Sequence, residues 1–423
     1  MERRIFHVDV NSAFLSWEAM KRVREGLPDL REIPSCIGGD PRSRRGIVVA
    51  KSIPAKKCGV VTGEPVAMAL RKCPDMVCVP SDFALYEKCS RAFKAICAGY
   101  APVMESFSID EVFLDMTGTQ LIYPDPVALA FEIKDRIRDE LGFTVNVGVA
   151  TNKLLAKMAS DLEKPDKVHT LFPEEIPEKM WPLPVRDLLF LGEASEQKLL
   201  RAGIRTIGEM AHCTETEIQR ILGDKNGHQL YLYANGIDDS PVHGEREEAK
   251  GYSAENTVEE DIVTYEQAFS LLLAQCDVVA ARMRRDGKKC SCVTVTYRTL
   301  DFKTRSHQKK LKNPTDITEE IFEQVKMLLY ECWRCEPLRL IGMGLTELTE
   351  GEYRQLSMFE DTSKREKQKK IDETMDNIRR QFGNGMIVRG STLNTAGKVA
   401  RKAKAQMENA KGENIDKPKG PAH

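Results

Sequence analysis

The sequence predicts an α+β multidomain protein with a ferredoxin-like core, a compact helical unit and a second α+β sheet domain toward the C-terminus. Three observations predict it. Segments over residues 5–150 follow the order β-α-β-β-α-β, residues 185–211 hold only short helical runs between turns, and residues 252–348 return to strands and helices. At 423 residues, 41% hydrophobic and 30% charged, the chain has material for about three domains.

Taken in order, Ile-Phe-His-Val-Asp-Val at 5–10 reads as a short apolar strand with one carboxylate near its end, and a helical run from Ser12 to Arg24 follows. Residues 36–65 are Gly-rich and strand-like, with Ile47, Val48 and Val49 in the middle and cations around them: a small basic subdomain. Residues 84–98 alternate as an amphipathic helix, Met104 to Asp115 as a strand pair, Pro126 to Leu141 as a helix, and Thr144 to Ala150 as another strand. Val185 to Leu191, Ser195 to Ala202 and Ile207 to Ala211 supply short helices that suit two helix-turn-helix units. The polar, turn-rich stretch 236–250 suits an interdomain linker. Strands are expected near 252–258, 292–300 and 339–348, with helices near 264–285 and 316–333. Beyond Gly351 a linear segment leads to an amphipathic helix with Ile371, Met375, Ile378 and Phe382 on one face, then to a Lys/Gly/Pro tail with the composition of disorder.

Composition removes several classes of function. No apolar run approaches the roughly 20 residues of a membrane span. The opening Met-Glu-Arg-Arg-Ile-Phe-His has no apolar leader, so the twelve cysteines are expected as reduced thiols of a cytoplasmic protein; a monomer is expected. Cys332 and Cys335 lack the second pair a zinc site needs and read as two packed helix-end thiols. The net charge of −1 conceals segregation. Arg42, Arg44, Arg45, Lys51, Lys56 and Lys57 occur with no acid between them, and Arg282 to Lys312 carries eleven Lys/Arg against Asp286 and Asp301. Within the second window Arg282, Arg285, Lys303, Arg305, Lys309 and Lys310 are candidates for sequence-independent phosphate contact; a solvated charged face is the plainer alternative.

The candidate chemistry lies in Asp9 and, about a hundred residues later, Asp110 and Glu111. Adjacent strand residues point to opposite faces, so Asp110 and Glu111 can serve one site only where the backbone turns or bulges. Three gathered carboxylates repel unless cations lie between them, and oxygen-only ligands suit magnesium or manganese. Two such ions lower the barrier of in-line phosphoryl transfer. By composition alone these residues read first as ordinary surface acids.

Three stretches carry a resemblance: His-Val-Asp-Val-Asn-Ser-Ala-Phe at 7–14, Phe-Ser-Ile-Asp-Glu-Val-Phe-Leu-Asp at 107–115, and Gly-Val-Ala-Thr-Asn-Lys-Leu-Leu-Ala-Lys-Met-Ala-Ser-Asp at 148–161. In order and spacing they resemble the Y-family translesion DNA polymerases, nearest the bacterial polymerase IV branch, over roughly residues 4–360. The resemblance implies a palm at 1–10 and 81–169, fingers at 11–80, a helix-hairpin-helix-like thumb at 170–236, a linker at 237–250 and a little finger at 251–350. A clamp-binding segment at 351–363, a helical extension at 364–395 and a disordered tail at 396–423 complete the division. It implies a DNA-directed DNA polymerase of low fidelity with two Mg2+ (Mn2+ also suits) held by Asp9, Asp110, Glu111 and the Val10 carbonyl. Phe14 matches the aromatic plate under the incoming sugar, and Lys164 a lysine used on the triphosphate. Ser52-Ile53-Pro54-Ala55-Lys56-Lys57 stands where the family commonly has Asn-Tyr-x-Ala-Arg-Lys, so Ile53 lacks a hydroxyl donor and Lys56 replaces a bidentate guanidinium. In the thumb turn, Phe190 replaces an expected glycine and Glu193 a frequent lysine. Gln355-Leu356-Ser357-Met358-Phe359 resembles the motif that docks bacterial replication proteins on the β sliding clamp. The implied partners are primer-template DNA, deoxynucleoside triphosphates and the clamp. Two rivals remain at this stage: a nucleotide cyclase using the same palm logic, and a catalytically weak, clamp-tethered DNA-binding accessory protein.

Overall fold

Six consecutive buried residues, Ile5–Val10, form β1, the middle strand of a five-stranded sheet, and this burial on both faces makes the run continuously apolar around His7 and Asp9. The structure is a computed structural model describing residues 3–40, 46–244, 248–350, 362–383 and 386–392. The clamp-like residues 355–359, and Arg42, Arg44 and Arg45, lie outside the described residues. By packing, the chain divides into two units, Met1–Gly39 with Ile47–Arg246, and Asp40–Gly46 with Glu247–His423.

In the first unit, α1 (Ala13–Arg24) follows β1; β2 (Ser35–Gly38), β3 (Val48–Lys51), α2 (Ile53–Lys57), α3 (Val66–Lys72) and β4 (Val77–Val79) form the small subdomain. Then come α4 (Phe83–Ala98), β5 (Val103–Ser106), β6 (Glu111–Asp115), α5 (Pro126–Leu141), β7 (Val145–Ala150), α6 (Lys153–Asp161) and β8 (Val168–Thr170). The main sheet has the order β5-β6-β1-β7-β8. Its first four strands are all antiparallel and have the split βαβ arrangement of a ferredoxin-like core. β8 adds a parallel fifth strand that the sequence pattern did not reveal, because three half-buried residues carry little periodicity.

Leu15 and Trp17 of α1 pack with Phe6, Val8, Tyr86 and Phe93, so this helix, placed with the fingers by resemblance, belongs by packing to the ferredoxin-like core. The three-stranded sheet β3-β2-β4 has a core of its own around Cys36, Val48, Ala55, Val66 and Met76. The strand-like stretch 36–65 holds β2 and β3 but also a helix, since Ser52 caps α2 by accepting the Ala55 N–H at 3.1 Å.

The compact helical unit expected after residue 184 holds α7 (Glu193–Arg201), α8 (Ile207–Ala211), α9 (Glu215–Leu222) and α10 (Asp224–Ala234). The helix expected over Val185–Leu191 is instead a 3₁₀ turn at Val185–Asp187: Leu188 is already extended and Phe190 adopts φ 63, which ends any helical run. The expected linker is tied down over its first half. Gly236 O accepts from Asn152, Asp238 from the Leu154 N–H, and Glu105 from the His243 N–H at 2.8 Å.

The second unit runs β9 (Gly251–Ile262), α11 (Tyr265–Arg285), β10 (Lys289–Thr299), β11 (Thr304–Thr315), α12 (Thr318–Cys332), β12 (Leu338–Thr349) and α13 (Thr362–Phe382). Its sheet order, β11-β10-β12-β9, is antiparallel throughout. β11 was missed: Lys, Arg, Ser and Gln dominate it, and as an edge strand it exposes them. α13 corrects a second expectation. Of the four apolar residues expected on one face, Met375 is buried and Ile378 half-buried, but Ile371 and Phe382 are exposed, and the buried Asp372 makes the docked face largely ionic. Cys332 ends α12 half-buried, but Cys335 is exposed in the following loop, so the two are not a packed pair. All twelve cysteines are free thiols. Among the described residues no helix is long and apolar enough to cross a membrane.

Candidate active site

The hairpin between β5 and β6 supplies the backbone turn that adjacent acids require. Phe107 and Ser108 both donate their N–H to the Glu111 carbonyl, at 3.1 and 3.2 Å, which puts Asp110 in the turn and Glu111 at the first position of β6. Asp9 and Glu111 are register partners across β1 and β6, and the Val10 N–H donates to the Asp110 carbonyl at 3.0 Å. From α4, Ser90 donates to the Ile109 carbonyl and Lys94 to the Ser108 carbonyl, which hold the turn from behind. Asp110 accepts the Ser108 hydroxyl at 2.5 Å.

α6 approaches the same end of the sheet closely because Gly148 lies beneath it: a Cβ there would fall 2.0 Å from the Ala156 carbonyl oxygen. The helix carries Lys157 to Glu111, Nζ–Oε 2.5 Å, and ends in Asp161. Lys164, in the next loop, pairs with Asp9 and lies 2.8 Å from Asp161. That loop is fixed by two buried amides. Asn146 donates to the Ser160 and Glu163 carbonyls and accepts from Asn11, while Asn11 accepts from the Asp166 N–H. Asp9 is only 6% exposed, and burial, opposed by Lys164, pushes its carboxyl up to about 7. His7, fully buried with Nδ1 on the Ser160 hydroxyl at 2.8 Å, is held well below the usual imidazole range by burial and the two lysines.

Asp9, Glu111 and Lys164 are thus brought together, with Asp110 in the adjoining turn. The three acids do not form a closed ligand cluster among the described residues; each is engaged by a separate partner, Lys164, Lys157 or Ser108. The donor set nevertheless fits hard divalent cations. It is all oxygen, it sits at a sheet end with the Val10 backbone alongside, and its two inner acids already draw ammonium groups. Lys157 and Asp161 escaped the sequence reading. Their signal was the spacing of Lys157 and Asp161, four residues apart on one helical face, with Lys164 three residues beyond.

Phe14 is half-buried, its ring 4.8 Å from Tyr86 and 5.9 Å from Trp17. Lys56 is exposed on α2, and Ile53 is 59% exposed, an apolar side chain where a hydroxyl is expected by resemblance. In the thumb, Phe190 takes a backbone conformation that favours glycine, and Glu193 and Glu196 occupy the first turn of α7, where they oppose a phosphate.

The cations of the second unit do not form one row. Arg305 and Lys309 pair with Tyr297 and Val293, whose side chains face α11 and α12; Lys310 pairs with Cys292 and, with Lys312, faces the other way. Lys303 lies in the hairpin loop beside Asp301, 2.8 Å away. Arg305 pairs with Glu336, Lys310 with Glu347, and Arg285 with Asp286. Arg282 stands over the Tyr252 ring at 5.8 Å. Exposed pairs of this kind are weak and exchange readily for phosphate.

Comparison with known proteins settles the family. Residues 8–161 match the impB/mucB/samB family, residues 249–358 its C-terminal domain, and residues 187–238 the thumb domain described for DNA polymerase-iota. DNA polymerase IV of Clostridium acetobutylicum is 43% identical over 394 residues, 93% of this chain and 99% of that protein. The chain belongs to the impB/mucB/samB family, the Y-family of DNA polymerases. It is a DNA-directed DNA polymerase, acting on DNA and nucleotides. DNA polymerase IV of Acetivibrio thermocellus is 36% identical over 94% of this chain and 99% of its own, and DNA polymerase IV 1 of Bacillus subtilis 35% over 92% and 93%. A solved Y-family DNA polymerase chimera shares the fold with a TM-score of 0.72 at 23% identity, covering 82% of this chain and all of the chimera. The cyclase and the accessory protein are thereby set aside.

Proposed function

We propose that this polymerase performs low-fidelity translesion synthesis by nucleotidyl transfer with two magnesium ions held by Asp9, Asp110, Glu111 and the Val10 carbonyl. The observation that carries the reading is the Asp9–Glu111 register pair, with Asp110 in the turn beside it and a lysine on each inner acid. When bound, two such ions polarise the attacking hydroxyl and stabilise the leaving pyrophosphate. Lys164 then serves the triphosphate as a point charge, joined by Lys56 from the fingers. Phe14 lies under the incoming sugar and rejects a 2′-hydroxyl by steric clash. Lys303 at the hairpin tip and Lys310 on the sheet face away from the helices hold the duplex through phosphates without reading sequence, and Arg282, Arg285, Arg305 and Lys309 add to the positive field that draws it. Bypass of lesions is in keeping with the relatives' family, and the β sliding clamp is the proposed tether through residues 355–359.

Primer extension over undamaged and lesion-bearing templates tests the reading. Asp110→Ala should reduce nucleotide addition to background while DNA affinity stays near that of the parent, since the phosphate-binding cations are untouched. Extension by Asp110→Ala near the parental rate, or failure of the parent at every lesion, sinks the corresponding half of the proposal.

A further inference from the structure

We infer that Asp161 is a positioning residue, the anion to which Lys157 and Lys164 withdraw when divalent cations take the carboxylates of Asp9 and Glu111. The inference rests on the metal reading above. Both lysines lie between an inner and an outer acid. Lys157 Nζ is 2.5 Å from Glu111 and 3.4 Å from Asp161; Lys164 pairs with Asp9 and is 2.8 Å from Asp161. The inner acids have side chains 8% and 17% exposed, whereas that of Asp161 is 45% exposed.

Two ammonium groups on Asp9 and Glu111 occupy the approach a divalent ion needs, and its double charge would repel them at contact distance. They must move. The backbone around them is fixed by the glycine contact under α6 and by the Asn11–Asn146 amides, so the movement falls to the side chains. A lysine has four methylenes, and a small rotation carries each Nζ from its inner acid toward one of the two carboxylate oxygens of Asp161, with the remaining N–H donors of Lys164 directed to the triphosphate. Asp161 stands four residues after Lys157 and three before Lys164, within reach of both. The bland alternative is a surface acid making an ordinary helical pair, which would leave cation affinity unmoved.

The experiment follows free Mn2+ by electron paramagnetic resonance, using the full chain with a dideoxy-terminated primer-template and the next deoxynucleotide. Asp161→Asn should weaken Mn2+ uptake by about fivefold to tenfold, because the lysines then have only the inner acids to neutralise. Lys157→Met should shift it the opposite way, since Glu111 loses its competitor. Asp161→Glu, which restores the anion, should bind Mn2+ nearly as the parent does. Retained primer-template affinity in EDTA certifies each fold. If Asp161→Asn takes up Mn2+ as tightly as the parent, the inference is overturned while the metal reading survives. If the parent itself takes up none, the metal reading fails first.

Discussion

Asp9 carries two opposed demands in one side chain. Burial in β1 disfavours its charge, and Lys164 restores it, so the carboxyl sits near 7 instead of in the ordinary carboxylate range. Such a residue is costly unless cations are supplied, which is why two lysines converge on this end of the sheet. Phe14 likewise serves two ends. Its ring contacts Tyr86, Trp17 and Phe83, so it is partly core as well as the proposed sugar plate. Phe14→Ala should admit ribonucleotides, measured as the ratio of deoxy- to ribonucleotide incorporation. It should also cost about 2 kcal/mol in thermal unfolding, roughly half the price of deleting a fully buried ring. Unchanged sugar discrimination at reduced stability would leave the ring as packing alone.

At the scale of elements, α6 and α13 illustrate opposite ways of seating a helix. α6 is seated by shape: a missing Cβ at Gly148 lets it lie on β7, and its apolar residues Leu154, Leu155 and Met158 are buried. α13 is seated by charge. Asp372 accepts the Thr318 N–H at 2.8 Å at the start of α12, where Ile317 offers no side-chain cap, and pairs with Arg389 at 2.7 Å. Arg284 bonds Asp376 at 2.7 Å, and Asp277 receives Arg379 and Arg389. Removing one partner from a buried pair leaves the others uncompensated. Asp372→Ala should therefore destabilise the second unit by about 3 kcal/mol, whereas Ile371→Ala, on the exposed side, should stay within about 0.5 kcal/mol. Chemical denaturation of both variants checks the order. Equal effects would return the docked face to the apolar stripe.

At the scale of the whole molecule, the proposed phosphate contacts would fade at cellular salt, and the proposed reading therefore calls for a tether. The proposed one is Gln355-Leu356-Ser357-Met358-Phe359. Docking it on a clamp around DNA raises the effective concentration of polymerase at the primer end with no new contact in the active site. Replacing Gln355, Met358 and Phe359 together by alanine should abolish stimulation by loaded clamp, each anchor contributing about 2 kcal/mol, and leave clamp-free extension unchanged. Product length on primed circular template, with and without clamp, is the measurement. Stimulation equal to the parent's would place recruitment elsewhere on the chain.

Local signals were legible wherever one residue's environment repeats along the chain. β1, α5, α8 and the hairpin at 103–115 lie where periodicity and turn chemistry put them, and the need of Asp110 and Glu111 for a turn follows from strand geometry alone. The order of the first sheet's core follows from the ferredoxin-like fold that its βαββαβ run suggests, but that of the second sheet was not legible. The second unit also runs βαββαβ, yet its sheet is ordered β11-β10-β12-β9 where the first core is β5-β6-β1-β7, because pairing depends on long-range burial that no local pattern encodes. The same cause hid β11 and the ionic part of the docked face of α13: a polar strand or a charged helix face looks solvated until its partner is known, and here the partners are β10 and the ion pairs of α11. Sequence determined which acids could meet. Only the tertiary structure set Lys157, Lys164 and Asp161 around them, since residues from a strand, a hairpin and a helix become neighbours through packing alone.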